Sequence, residues 1–337
     1  TGEYSIDMLN SEGTNKGTEY LTYDTGKGKK ELTSTTYIEG ALNYARDFKK
    51  HGVGGLLVLQ INNRKYPNSS TLQGSLPYKN ICHSGRFTYS YDKRYFSEFN
   101  FGYNGSERFE KNNRWGFFPS FGLGWMISNE KFMEPLQNTI SKLKLRASYG
   151  LVGNDNMSSN RFLYLPDSYS INDSDWLQQS YSDKNGYIFG MTNTAYMAAA
   201  RELALGNPNV TWETALKQNY GIDAYFFDDR LKLTADYFRE NRRDILMLRT
   251  SIPSLISMNG LLKPVNIGKV NNHGYEIDLK WSDRIKDFSY YINGNISYSK
   301  NKIIFQDEVE PNEPYMWRTG NEVGARFGYV AQGFYDV

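Results

Sequence analysis

Hydrophobic and polar positions alternate, one for one, over long stretches of this chain. Leu143, Leu145, Ala147, Tyr149 and Leu151 take turns with Lys144, Arg146, Ser148 and Gly150. Leu231, Leu233, Ala235 and Tyr237 alternate with Lys232, Thr234 and Asp236. Tyr275, Ile277, Leu279 and Trp281 alternate with Glu276, Asp278 and Lys280. Phe288, Tyr290, Ile292, Ile296 and Tyr298 share a parity opposite Ser289, Asn293, Asn295, Ser297 and Ser299. Successive side chains of a strand point to opposite faces, so each segment carries one greasy face and one wet face. Helical periodicity is nearly absent.

The pattern predicts strands at 34–48, 52–64, 84–92, 95–105, 116–127, 142–153, 211–227, 231–248, 268–282 and 287–304, with a further one from about 325. Several exceed the five or six residues usual in soluble sheets and reach the 9–11 tilted residues that cross a bilayer. The connections are short at 47–51, 92–94, 228–230 and 282–287, and long at 65–83, 154–210, 249–267 and 305–324. Short turns at one end and long loops at the other are the arrangement of an outer-membrane barrel. By parity the link 128–141 belongs with the short turns, with a brief helical turn over Asn129-Glu130-Lys131-Phe132-Met133, and residues 1–33 form an extracellular loop region. The expectation is therefore an all-β, antiparallel transmembrane barrel over 34–337, with 154–210 its largest loop.

Composition agrees with a membrane built of strands. The chain has 27 Tyr, 19 Phe and 6 Trp, yet its mean hydropathy is −0.64. No apolar run approaches the roughly 20 residues of a transmembrane helix. Barrel strands keep mean hydropathy low because every second residue faces the lumen, and they place aromatics at both membrane interfaces. Lys+Arg 39 against Asp+Glu 37 leaves a formal charge of +2, which offers no electrostatic footprint for nucleic acid. The single cysteine, Cys82, excludes an intrachain disulfide and a cysteine-based zinc site. The opening Thr1-Gly2-Glu3-Tyr4 lacks a signal peptide, which reads as cleavage or as an internal piece of a longer chain.

An ordered set of motifs resembles the SusC/RagA family of TonB-dependent transporters. It includes Leu76-Pro77-Tyr78-Lys79-Asn80, Gly85-Arg86-Phe87-Thr88-Tyr89-Ser90-Tyr91-Asp92-Lys93-Arg94-Tyr95, and Phe99-Asn100-Phe101-Gly102-Tyr103-Asn104. Gly116-Phe117-Phe118-Pro119-Ser120, Leu123-Gly124-Trp125, Leu143-Lys144-Leu145-Arg146-Ala147-Ser148-Tyr149-Gly150, Asn219-Tyr220-Gly221 and His273-Gly274-Tyr275-Glu276 continue it in order. The resemblance implies a 22-stranded barrel with an N-terminal plug, of which this chain would be about half. The plug, the TonB-contacting segment and the last strands are missing from the pattern. It also implies active import of oligosaccharides or peptides in Bacteroidota, with a SusD-like surface lipoprotein over the barrel, the TonB complex acting through the plug, and outer-membrane lipid around the wall. Alternatives from other classes are a passive porin or adhesin-type barrel and a secreted β-sandwich.

No enzyme is indicated. His51, His83 and His273 have no partner at metal-ligand spacing, and Cys82 and His83, being adjacent on a strand, face opposite ways. Gly26-Lys27-Gly28-Lys29-Lys30 lacks phosphate-loop spacing. No cofactor is expected, save Ca²⁺ as a candidate at Asp173 and Asp175, which offer oxygen ligands without the remaining elements of a calcium loop. The ligand candidates are outer-loop aromatics, whose faces stack on sugars: Tyr169, Trp176, Tyr181, Tyr187 and Tyr196, with Tyr78, Trp115 and Trp317 in or beside other loops. The competing reading is that these rings pack the loops together or meet a partner lipoprotein. Tyr89, Tyr91, Phe99, Phe101, Tyr290 and Tyr298 read as lipid-facing or girdle residues.

Overall fold

The computed structural model describes residues 32–66, 76–156, 161–166, 169–170, 186–189, 195–198, 201–202, 205–253, 262–329 and 333. The strands among them are β1 (Ser34–Phe48), β2 (His51–Lys65), β3 (Tyr78–Tyr91), β4 (Tyr95–Ser106), β5 (Trp115–Met126), β6 (Ile140–Asn154), β7 (Tyr169–Ser170), β8 (Gly186–Phe189), β9 (Ala195–Ala198), β10 (Arg201–Glu202), β11 (Glu213–Phe226), β12 (Leu231–Met247), β13 (Val265–Ile285) and β14 (Phe288–Phe305). The ten long ones form a single antiparallel sheet in chain order, from β1 at one edge to β14 at the other. The four short ones pair as β7 with β10 and β8 with β9 within the longest loop.

The register carries one set of side chains onto a common apolar face. Tyr220, Tyr237, Tyr275 and Tyr298 stand in one row across β11, β12, β13 and β14. The next rows are Ile222, Ala235, Ile277 and Ile296, then Ala224, Leu233, Leu279 and Gly294. Beyond the tyrosine row the same face turns polar, with Gln218, Arg239, His273 and Lys300. At the opposite end Tyr91, Tyr95 and Trp125 form a second aromatic row over β3, β4 and β5. An apolar belt thus lies between two aromatic borders, as a bilayer requires. On β4 it runs from Tyr95 to Tyr103, about 26 Å of extended chain. Ile277, Leu279 and Ile292 are 37%, 47% and 67% exposed, so the greasy face is an outer surface and not a dry core.

The ten strands expected between 34 and 304 are all present, and the differences among them lie at their ends. β3 begins at Tyr78 instead of 84, and β13 runs from Val265 to Ile285 instead of 268–282. In both extensions alternation fades because the strand has left the hydrocarbon and both faces meet water. The strand expected from about 325 is not formed over 325–329. Gly320 and Gly324, with φ of +94° and +81°, turn the chain, and the backbone of Gly320 and Asn321 bonds to Ile303 at the end of β14. Residues 1–31 of the expected extracellular loop region lie outside the described residues.

The short connections are tight hairpins built on positive φ at Lys49, at Asp92 and Lys93, at Phe227, Asp228 and Asp229, and at Lys286. The expected helical turn in the link after β5 is a pair of 3-10 helices, Ile127–Asn129 and Lys131–Leu136. Glu130 between them is buried, takes Arg94 at 2.9 Å and the Trp125 indole N–H at 3.1 Å, and shares Arg94 with Asp92 at 2.6 Å. Hydrogen bonds from the Tyr95 hydroxyl, Trp125 and Arg94 hold Glu130 below the usual carboxylate range. Lys50 and Arg94 do the same for Asp92.

Candidate functional site

The face opposite the belt is polar and laced with charge. Arg86 on β3 meets Glu98 on β4 at 2.7 Å, and Asn100 donates to the same carboxylate at 2.8 Å. Arg146 on β6 reaches across β11 to Asp236 at 2.7 Å and to Asp223 at 3.3 Å. Gly221 makes that reach possible, because a Cβ there would sit 2.6 Å from Asp236 Oδ1 and 2.7 Å from the Arg146 guanidinium carbon. Lys217, Glu240, Arg242 and Glu213 form a further chain of pairs nearer the long loops. A depression of about 900 Å³ lies over these rungs, lined by Glu98, Asn100, Arg146, Ser148, Lys217 and Asn219 among others. A second hollow, of about 950 Å³, lies largely on the apolar face among Tyr95, Trp125, Leu145, Ile222 and Ile277. It holds the chemistry for acyl chains and not for a polar ligand.

Where the strands emerge at the long-loop end, the loop bases are locked together. Phe109, Leu163, Val210 and Trp212 form a small buried cluster, with Phe118 and Leu246 packed against it. The cluster brings 107–114, 161–166 and 205–212 onto the wall. Asn207 N–H donates to Leu163 O at 2.8 Å, and Gly206 passes so close to 164–166 that a Cβ would come within 2.6 Å of Tyr164 O. Asn266 ties Thr211 and Asp244 through its amide, donating to their carbonyls at 2.9 and 2.8 Å.

Arg161 is the central clamp of this rim. Its side chain is only 8% exposed, and its guanidinium carbon lies 3.5 Å from the Tyr78 ring centroid. It donates to the carbonyls of Leu76 and Pro77, both at 3.0 Å, and pairs with Glu107 at 2.8 Å. Beside it Ser106 Oγ donates to Asp155 at 2.7 Å, and Arg108 donates to the Asp155 carbonyl at 2.9 Å. Two loops and the base of the longest one are thereby held in one arrangement.

The aromatics singled out from the sequence fall in different places. Tyr169 lies on β7, Tyr187 on β8 and Tyr196 on β9, while Trp176, Tyr181, Asp173 and Asp175 lie outside the described residues. Trp115 opens β5 on the apolar face, stacked on Tyr103 with centroids 4.8 Å apart, and so continues the greasy surface instead of facing the wet side. Trp317 is half-buried after the 3-10 helix Pro314–Met316, and its carbonyl accepts from Asn321. Tyr78 faces the polar side under Arg161. Two of the three histidines pack among aromatics, His51 with Tyr89 and Tyr91 and His83 with Trp115, and His273 stands in the polar row between Arg239 and Lys300. Among the described residues no group of three or more His, Cys, Asp or Glu side chains could hold a metal. Sequence reasoning missed Arg161, Asp155 and the Phe109–Leu163–Val210–Trp212 cluster. The one local signal was the apolar pair Phe162-Leu163 inside a polar loop.

A sheet with a lipid-width apolar belt between aromatic borders, a charged opposite face and long loops at one end defines part of an outer-membrane β-barrel. The chain belongs to the TonB dependent receptor-like β-barrel family, whose model matches residues 4–332. It is of the SusC/RagA type, and the family is one of outer-membrane receptors and transporters and not of enzymes. It is 32% identical to the TonB-dependent receptor SusC of Bacteroides thetaiotaomicron over 76% of the chain and 24% of that protein. It is 28% identical to the TonB-dependent receptor P3 of Formosa agariphila over 99% of the chain and 33% of that protein. The RagAB peptide importer in its closed-closed state shares the fold, with a TM-score of 0.63 at 21% identity over 86% of this chain and 33% of that one. The chain thus spans a quarter to a third of the length of these relatives.

Proposed function

We propose that the whole protein imports oligosaccharides actively across the outer membrane. The observation that carries this reading is the pairing of a charge-lined inner wall with a rim whose loop bases are held together. A ligand met by loops already anchored at their bases loses less free energy to ordering them than one met by unanchored loops. Energised transport requires the TonB complex to act through a plug, and a SusD-like lipoprotein to present the nutrient at the rim. Tyr169, Trp176, Tyr181, Tyr187 and Tyr196 supply stacking surfaces for sugar rings in the longest loop. The likeness to SusC favours glycans. The fold shared with the RagAB peptide importer supports a peptide cargo as the second reading. A passive porin or adhesin would need neither plug nor energy. The test is growth of a deletion strain on single glycans and on peptides. Loss on a glycan, restored by the intact gene but not by one lacking its TonB-contacting segment, is the expected result. Unchanged growth on every source, or loss on peptides alone, overturns the glycan reading.

A further inference from the structure

The rim holds a polar cavity of about 490 Å³ beside the Arg161 clamp, lined by Asn62, Arg64, Tyr66, Tyr78, Asn80 and Arg108 among others. Its size falls within the range of ligand sites. Register places Arg64 opposite Tyr78 and Asn62 opposite Asn80, with Asn80 opposite Ser106, so the lining is one continuous patch of the polar face.

Three properties define what it would take. First, its lining carries more cations than anions. Among the described residues Arg64 bonds only to the Tyr66 hydroxyl, at 3.4 Å, and Arg108 donates only to a backbone carbonyl, so neither guanidinium has a carboxylate partner. Of the two carboxylates that reach the cavity, Glu107 is paired with Arg161, while Asp155 accepts from Ser106 and keeps its charge, against Arg64, Arg108 and Lys79 in the same lining. Second, the buried amide oxygen of Asn62 has no hydrogen-bond partner, and a buried acceptor of this kind costs free energy until a donor reaches it. Third, Tyr66 is exposed and meets Tyr78 edge-on at 5.5 Å, which leaves an aromatic face open to the cavity mouth.

An anion for two guanidiniums, a hydroxyl for a buried amide and a flat ring face for a tyrosine belong together on one kind of molecule. Resting on the import reading above, we infer that this cavity is a subsite for the carboxylate of an acidic sugar. The nutrient is therefore an oligosaccharide containing uronic acid. Arg64 and Arg108 hold the carboxylate, Asn62 accepts from a ring hydroxyl, and Tyr66 covers the ring.

The test is calorimetric binding to the full-length transporter in detergent, with its lipoprotein partner. The probes are a uronic-acid trisaccharide, a neutral trisaccharide of the same linkage and an acidic tripeptide. The uronic trisaccharide is expected to bind at least tenfold more tightly than the neutral one. Arg64→Gln and Arg108→Gln are each expected to remove most of that preference, and Arg64→Lys to retain part of it. Barrel integrity is checked by the heat-dependent mobility of each variant. Equal binding of the two trisaccharides, or a preference that survives both glutamine variants, overturns the acidic subsite and leaves glycan import standing. Binding of the tripeptide with neither saccharide bound overturns both readings.

Discussion

Leu279→Arg tests the assignment of the two faces. Leu279 lies between Leu233 and Gly294 on the apolar face. Along β13 it is two positions from Trp281 and four from Tyr275, about 7 and 13 Å of extended chain. That places it inside the belt and away from either aromatic border. An arginine at the midplane of a transmembrane barrel costs about 2–4 kcal/mol, falling to about 0–1 near the interfaces. Part of the cost is relieved because the long side chain snorkels toward the nearer border, so about 2 kcal/mol is expected, near a thirtyfold change in the folding equilibrium. The neighbouring Lys280→Leu alters the other face. Lys280 pairs with Asn293 across the strands, and its ammonium lies 5.6 Å from the Tyr291 ring centroid. Losing it should cost well under 1 kcal/mol. The assay is urea-dependent folding of the full-length barrel into lipid vesicles, followed by tryptophan fluorescence. The ratio of the two shifts is the readout, because errors of extrapolation are shared. Equal shifts for the two variants would refute the facing, and a shift below about 0.5 kcal/mol for Leu279→Arg would place it on a water-exposed surface.

Four further outcomes follow from named contacts. Arg146→Gln leaves Asp223 and Asp236 facing each other without their shared cation. Arg146 is 34% exposed, so solvent screening limits the expected loss to about 1–2 kcal/mol in the same assay. Gly221→Ala should produce a loss of similar size, and little more should be lost when it is added to Arg146→Gln. Arg161→Ala removes a buried guanidinium from two carbonyls, Glu107 and the Tyr78 ring. It should raise hydrogen exchange at 161–166 by at least tenfold, while β13 exchange stays unchanged. Acid should loosen the short-turn end first. Asp92 and Glu130 have lowered folded-state values, so their contribution is full above the ordinary carboxylate range of about 4 and is lost as pH falls through those lower values. Exchange at 92–94 and 127–139 should rise below about pH 4, and Asp92→Asn with Glu130→Gln should abolish that pH dependence while retaining the barrel. A flat exchange profile in the unsubstituted protein would show that neither carboxylate stabilises the turn.

The wall was legible from the sequence and the rim was not, for a physical reason. A transmembrane strand is read by two uniform solvents, lipid on one side and water on the other, so its code is local and has a period of 2. Leu143, Leu233, Ile277 and Ile292 could be assigned to one face without knowing any partner strand, and the register puts them there. At the rim water surrounds both faces and the code stops. β3 was read as starting six residues late because Tyr78-Lys79-Asn80-Ile81-Cys82-His83 does not alternate. Arg161 was invisible for a related reason. Its partners at 76, 77, 78 and 107 are distant in sequence, and the only local signal was the apolar pair Phe162-Leu163 beside it. Trp115 was read with the loops because it borders one, whereas strand parity with Phe117 and Phe121 puts it on the apolar face.

The distribution of charge over the inner surface then separates passage from selection. On the wall, Arg86, Arg146, Lys217 and Arg242 are matched by Glu98, Asp223, Asp236, Glu240 and Glu213, each within an ion-pair or hydrogen-bonded chain. Fields from such close, opposite charges cancel within a few ångströms and are screened further by the water of a lumen. Such pairs present polar groups to a hydrated solute without holding either sign strongly, whereas Glu276 and Asp278, opposite Asp236 and Thr234 on the same face, have no cationic partner among the described residues and give this part of the wall an acidic surplus. The rim is built the other way, with Arg64 and Arg108 lacking carboxylate partners among the described residues. On the proposed import reading, discrimination by charge then belongs at the mouth. Neutralising Arg64 and Arg108 should change which solute is captured, and neutralising Arg86 with Glu98 should not. A double variant Arg86→Gln, Glu98→Gln that shifted the preference between acidic and neutral trisaccharides would place selection in the wall and contradict this division.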